Sequence, residues 1–229
     1  MNKRKIMVAG LICLDFTPTF PMDHVYDFYS VLQQGQVTHT KGLTVSLGGV
    51  VANTGLAIDR LGGKVSLVAK IGDDSLGDML KQQLLDFGVG KQIITTNQAA
   101  TSYSIVIAIP GYDRIFIHDV GANDYFTQND LPYEQMQEVD IFHFGYPPSM
   151  RNFYCDNGEN LSEMLKNVSQ RGICTSLDLS MPDAGDESGS ANWHQILKAA
   201  LPYVDLFEPS IEELALCLDQ KGYLQRKEY

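Results

Sequence analysis

Strand-length apolar runs alternate with segments of helical periodicity along most of this chain, and that rhythm leaves few architectures open. Residues 6–14 are apolar almost without a break, as a parallel strand buried on both faces should be. Residues 51–61 read as a helix, with Ala52, Leu56 and Ile58 among its apolar positions and Gly62-Gly63 as its stop. Residues 65–71 return as a strand. Residues 75–87 form a second helix: Leu76, Met79, Leu80 and Leu84 share one face, and Gly88 ends it. After residue 140 the pattern resumes, with strands at 141–144, 173–179 and 204–207. The matching helices are expected near 161–168, 193–201 and 211–218. Residues 183–192 read as a polar loop and 220–229 as a polar tail. Strands and helices that alternate in this way imply an α/β fold: a doubly wound, mostly parallel sheet with helices on both faces.

Two stretches break the rhythm. Residues 103–109 and 114–118 are short strand runs flanking Pro110-Gly111-Tyr112-Asp113, a hairpin signal. Residues 16–47 also lack helical periodicity. The two stretches are expected to pair as a small sheet apart from the core.

Charge and cysteine content exclude several functions. Lys+Arg 17 against Asp+Glu 28 gives a net charge of −11, and basic residues cluster only at Lys3-Arg4-Lys5. Such a surface repels nucleic acid and anionic membrane, so neither is an expected partner. Cys13, Cys155, Cys174 and Cys217 show no CxxC spacing and no accompanying His pair, which argues against a zinc or redox site and for a reduced, cytoplasmic protein. The basic start followed by residues 6–14 imitates a signal peptide. Asp15, Phe16, Pro18, Phe20 and Pro21 then follow where small residues would be needed, and Ile12 before Cys13 argues against a lipoprotein site. No run approaches the ~18 apolar residues of a spanning helix.

The most specific motif is Leu47-Gly48-Gly49-Val50-Val51-Ala52-Asn53, leading into a helix. Paired glycines let a backbone approach a ligand closely, and the helix start offers free N–H donors. Asn53 brings a donor and an acceptor together, which suits a pair of vicinal hydroxyls. A plain tight turn with Asn53 in solvent fits the spacing equally well. The motif is not GxGxxG and gives a dinucleotide site little support.

Gly48-Gly49-x-x-x-Asn53, Leu61-Gly62-Gly63 and Gly72-Asp73-Asp74-x-x-Gly77, taken together, resemble the first signature of the PfkB, or ribokinase-like, carbohydrate kinases. The opening run from Val8 to Asp15 resembles that family's first strand, which ends in a sugar-binding Asp. Thr101, the hairpin, Arg114 and Gly121-Ala122-Asn123 resemble its lid and the return from it. Leu177-Asp178 and Val204-Asp205 through Glu213 resemble its later strands. The likeness runs from about residue 6 to residue 218.

The resemblance implies a ribokinase-like fold over residues 1–229, with lid segments 16–47 and 101–120 inserted in it. It implies a substrate site of Asp15, Gly48, Gly49, Asn53 and Asn123, with Arg114 as a lid contact. Ser210 and Glu213 fall where the family has Asn-x-x-Glu, near magnesium and the ATP phosphates; Ser210 here replaces the Asn. The same two residues make a helix capping box. The implied activity is ATP-dependent phosphorylation of a sugar or nucleoside hydroxyl, with ATP and Mg2+ as cofactors. The β lid is also a candidate homodimer contact. His143 reads as a strand residue and Trp193 as a core anchor. Asp183-Ala184-Gly185-Asp186 falls too early to be the family's Asp-Thr-x-Gly-Ala-Gly-Asp signature, and nothing after Glu213 resembles it. That signature carries the catalytic base, so this chain is expected to be a truncated, inactive fragment of the kinase. The alternative is a non-catalytic sugar- or nucleoside-binding remnant.

Overall fold

The computed structural model describes residues 4–25, 27–85, 87 and 90–227. Six parallel strands form the main sheet: β1 (Lys5–Gly10), β4 (Lys64–Gly72), β5 (Gly90–Thr96), β8 (Ile141–Gly145), β9 (Cys174–Leu177) and β10 (Leu206–Phe207). Their order is β10-β9-β8-β1-β4-β5. A second sheet takes β2 (Cys13–Thr19), β3 (Gly42–Gly48), β6 (Tyr103–Ile107) and β7 (Ile115–Asp119), in the order β3-β2-β6-β7. The α/β, doubly wound architecture and the separate small sheet are therefore as expected.

Alternation along the strands splits the core into two layers. Met7 and Ala9 of β1 join Phe142 and Phe144 of β8 on one face. Helices α3 (Glu159–Ser169) and α5 (Trp193–Ala200) cover this face. Leu161, Met164, Leu165 and Val168 of α3 recur at helical spacing and are fully buried. Burying each such side chain stabilises the fold by roughly 1.5–3 kcal/mol. Val8 of β1 points the other way, with Leu67, Ala69 and Ile71 of β4. There it meets a π-helical turn, Val51–Leu56, and α2 (Ser75–Leu85). Trp193 is buried on the first layer and its indole N–H donates to the Ser188 carbonyl at 2.7 Å.

Several sequence expectations need correction. The apolar run 6–14 is not one strand: it leaves the main sheet at Gly10 and enters the second at Cys13. Gly10 has φ 129°, and a Cβ there would overlap the Gly145 carbonyl group. Residues 51–61 are a π-helical turn followed by the short α1 (Ala57–Arg60). Edge strand β5 was missed because Gln92-Ile93-Ile94 sits among polar residues and Gly. The loop at 183–192 contains the short helix α4 (Glu187–Ser190), capped by the Asp186 carboxylate. The polar tail continues the helix α6 (Ile211–Lys227) beyond a kink at Asp219. Gly88, expected to stop α2, and Lys3, in the basic start, lie outside the described residues. Among the described residues no helix is long and apolar enough to cross a membrane.

Candidate functional site

The strand order reverses at β1, where connections to one side cover one face and connections to the other side cover the opposite face. In such sheets ligands settle at the carboxyl ends of the strands beside that reversal. Gly10 of β1 and Gly145 of β8 pair at that point. The chain segment 11–12 crosses there into the second sheet, and three devices hold it. Leu11 N–H donates to the Gly145 carbonyl at 2.9 Å, and the Leu11 carbonyl accepts from Val51 N–H at 3.2 Å. Asn123 clamps Ile12 from the other side. Its Oδ1 accepts from Ile12 N–H at 3.1 Å, and its Nδ2 donates to the carbonyls of Ile12 and Val120 at 3.0 Å each.

The glycine signature divides into two physical roles. Gly49 has φ 82°, and a Cβ there would lie 2.8 Å from the Leu11 carbonyl carbon. Gly48 faces the Asp15 carboxylate; a Cβ would lie 2.7 Å from its Cγ. Gly48 thus brings backbone up to Asp15, and Gly49 brings it up to the Leu11 crossing. The Gly72-Asp73-Asp74-x-x-Gly77 part is instead a lock between the sheets. Asp74 accepts from Gly77 N–H at 2.8 Å and from Thr101 N–H at 2.7 Å, while the Thr101 hydroxyl accepts from Gly72 N–H at 3.0 Å. A Cβ on Gly72 would lie 2.5 Å from Thr101 N.

Asp15 stands half-buried on β2, directly beside this crossing. Among the described residues its carboxylate forms no ion pair, and its hydrogen bond comes from the Cys13 thiol at 3.5 Å. Burial, reinforced by the Asp15 charge, pushes the Cys13 thiol far above its ordinary pKa. Thiols are weak donors, so most of the carboxylate's accepting capacity stays open. Asn53 is exposed on the π-helical turn, near enough to the Tyr146 phenol to bear on its ionisation. Burial raises the Tyr146 pKa, the polar Asn53 side chain opposes that, and Asp178, Glu213 and Cys13 add to the rise.

Asp178, at the end of β9, is pushed up to about 6, first by burial and then by the Glu213 and Glu208 carboxylates; a bond from Leu179 N–H works against the rise. The sequence offered one signal for Tyr146 and Asp178: each directly follows an apolar strand. An unfolded Asp titrates near 3.8. The folded value is higher, so the folded chain loses stability as pH rises from about 4 through about 6. Asp178→Asn is expected to stabilise the chain at pH 8 by about 1–2 kcal/mol. Two pKa units would imply ~3 kcal/mol, and partial solvent exposure reduces that. The gain should vanish below pH 4; unfolding midpoints equal to the parent's at pH 8 would contradict this environment for Asp178.

Ser210 and Glu213 start α6. Ser210 N–H donates to Glu213 Oε2 at 2.7 Å, and Glu213 N–H donates to Ser210 Oγ at 3.2 Å, a reciprocal capping box. Arg114, just before β7, lies over the ring of Phe116, 5.5 Å from the centroid. His143 shares a hydrogen bond with Ser176 at 2.8 Å within the main sheet.

Comparison with known proteins agrees with this fold. The model of the pfkB family carbohydrate kinases matches residues 4–228. A fructokinase of Solanum tuberosum is 30% identical over 122 residues, which are 52% of this chain and 38% of that protein. Fructokinase-1 of Zea mays is 33% identical over 101 residues, 43% of this chain and 31% of that protein. Thus the aligned part spans well under half of these relatives' length. Among solved structures, a fructokinase with bound ATP from Xylella fastidiosa superposes with a TM-score of 0.68 at 21% identity, covering 98% of this chain and 68% of its own. A PfkB protein from Polaromonas sp. JS666 gives 0.72 at 14% identity, covering 93% and 68%. The chain belongs to the pfkB family of carbohydrate kinases.

Proposed function

We propose that this chain forms the sugar-binding part of an ATP-dependent carbohydrate kinase and that Asp15 is its central substrate ligand. The observation that carries this reading is the placement of Asp15: an under-engaged carboxylate beside the reversal of strand order, with the Gly48 backbone against it. Asp15 accepts hydrogen bonds from sugar hydroxyls, Gly48 and Gly49 admit the ring against backbone, and Asn53 grips the other side. Asn123 acts one step back, by holding the Leu11–Ile12 crossing that aims Asp15. Residues 16–47 and 101–120 form the lid of a single kinase domain over 1–229. Saturable binding of a sugar that is lost on substituting Asp15 tests the reading.

ATP fits this proposal through the end of the sheet where Asp178, Glu208 and Glu213 feel one another's charge. Mg2+ is usually held by one or two carboxylates together with the nucleotide's phosphates. This reading assigns the ion to Glu213, with Ser210 beside it. Bound there, the ion would neutralise phosphate charge. Phosphoryl transfer belongs to the proposal for the complete kinase. The expectation that residues 1–229 alone are inactive rests on the absence from them of an Asp-Thr-x-Gly-Ala-Gly-Asp stretch. The described cysteines are all free, which suits the reducing cytoplasm we propose as its compartment.

A homodimer through the lid is part of the same reading. β7 is an edge strand, and its Ile115, Phe116 and Ile117 are 45%, 53% and 55% exposed. An apolar edge of this kind recruits a partner strand. Ile117→Lys is expected to shift the chain from dimer to monomer in sedimentation velocity; an unchanged distribution would remove β7 from the interface.

A further inference from the structure

One face of the second sheet carries a row of polar side chains at a single level. Register sets Asp15 beside Ser46 of β3 and Ser104 of β6, and sets Ser104 beside His118 of β7. Cross-strand partners share a face of the sheet, so the row stands together. The opposite face is apolar: Leu14, Phe16, Val45, Leu47 and Tyr103 pack with the core. The polar row is also linked by contacts. The Ser104 hydroxyl, only 5% exposed, lies 3.0 Å from His118 Nδ1 and 3.9 Å from the Cys13 sulfur. That thiol in turn donates to Asp15 at 3.5 Å. An exposed histidine on an edge strand would ordinarily sample several rotamers. Here a buried hydroxyl holds one edge of the ring and turns it toward Asp15. Partial burial lowers the His118 pKa, and the nearby Asp15 and Asp119 charges work against that lowering.

Strands lie about 4.8 Å apart, which puts β2 and β7 on the order of 10 Å apart across β6. A histidine leaning over Ser104 narrows that gap to the reach of a hexose-sized polyol. We propose that His118, oriented by Ser104, determines substrate specificity by hydrogen-bonding a hydroxyl remote from those held by Asp15. The ligand class is a polyol of pentose to hexose length whose far hydroxyl meets the imidazole. This inference rests on reading Asp15 as the sugar's carboxylate partner.

The test uses the whole chain with D-fructose, D-ribose and the monodeoxy analogues of fructose as calorimetric probes. The parent should bind one deoxy analogue about tenfold more weakly than its parent sugar, the usual cost of one lost polar contact. His118→Leu should weaken fructose about tenfold and leave that analogue unchanged, so that discrimination collapses. His118→Gln should recover part of it. A role confined to holding the sheet would weaken every probe alike and would overturn the proposal. Should the Leu variant fail to fold, the parent still decides the matter: fructose must shift the His118 ring resonances in NMR, and unshifted resonances at saturation refute the contact. Loss of binding in Asp15→Asn alongside full discrimination in His118→Leu would defeat this inference alone. A parent that binds none of the probes would defeat both it and the reading beneath it.

Discussion

Asp15→Ala is expected to weaken sugar binding by at least about 100-fold while shifting the unfolding midpoint by no more than about 2 °C. The asymmetry follows from what the carboxylate touches. Among the described residues it receives a single weak thiol hydrogen bond, so its loss removes little native structure. Toward a ligand it can accept two charge-assisted hydrogen bonds, each worth roughly 1.5–3 kcal/mol. Two such bonds amount to ~3–6 kcal/mol, or more than two orders of magnitude in affinity. Asp15→Asn should sit between parent and Ala, because it keeps one acceptor and loses the charge. A large drop in stability with unchanged affinity would reverse the assignment and make Asp15 a structural residue of β2.

The second large effect concerns Gly10, where the chain leaves one sheet for the other. Gly10→Ala is expected to abolish folding or to cost more than about 4 kcal/mol. At φ 129° an L side chain is strained whatever the space around it, and here there is none. A Cβ would overlap the Gly145 carbonyl oxygen and lie 2.8 Å from its carbon. That same carbonyl accepts from Leu11 N–H, so moving it away would break the bond that turns the chain toward Asp15. Far-UV circular dichroism with urea unfolding reads the result. A cooperative transition within 1 kcal/mol of the parent would show that the crossing can relax, and that the site does not depend on it.

Gly10 also shows what a sequence pattern conceals. Residues 6–14 look like one buried strand because both halves are buried, but in different sheets. Hydropathy reports burial and is blind to which sheet a residue joins. The alternation of strands and helices beyond residue 140 was legible, since α3 and α5 each present an apolar stripe to one layer. β5 was not, because an edge strand needs little apolar content. The glycine signature was legible as a motif, and only contacts separate its roles: Gly48 lies against Asp15 and Gly49 against Leu11, whereas Gly72, Asp74 and Gly77 gather at Thr101. Asn123 was legible in the same way, yet its amide is spent on Ile12 and Val120. Tyr146 and Asp178 come from two separate strand ends, and Ser104 and His118 from the two arms of the hairpin. Strand order and register, which hydropathy does not report, bring them toward Asp15 and Asn53.

The most direct measurement of the central claim is isothermal titration calorimetry of residues 1–229 and of Asp15→Asn with D-fructose, D-ribose and adenosine. The account predicts saturable, one-to-one binding of at least one of these polyols to the parent, and a loss of about tenfold or more in affinity for that polyol in the variant. Binding of equal strength to both proteins, or no binding of any of the three to a folded parent, would contradict it.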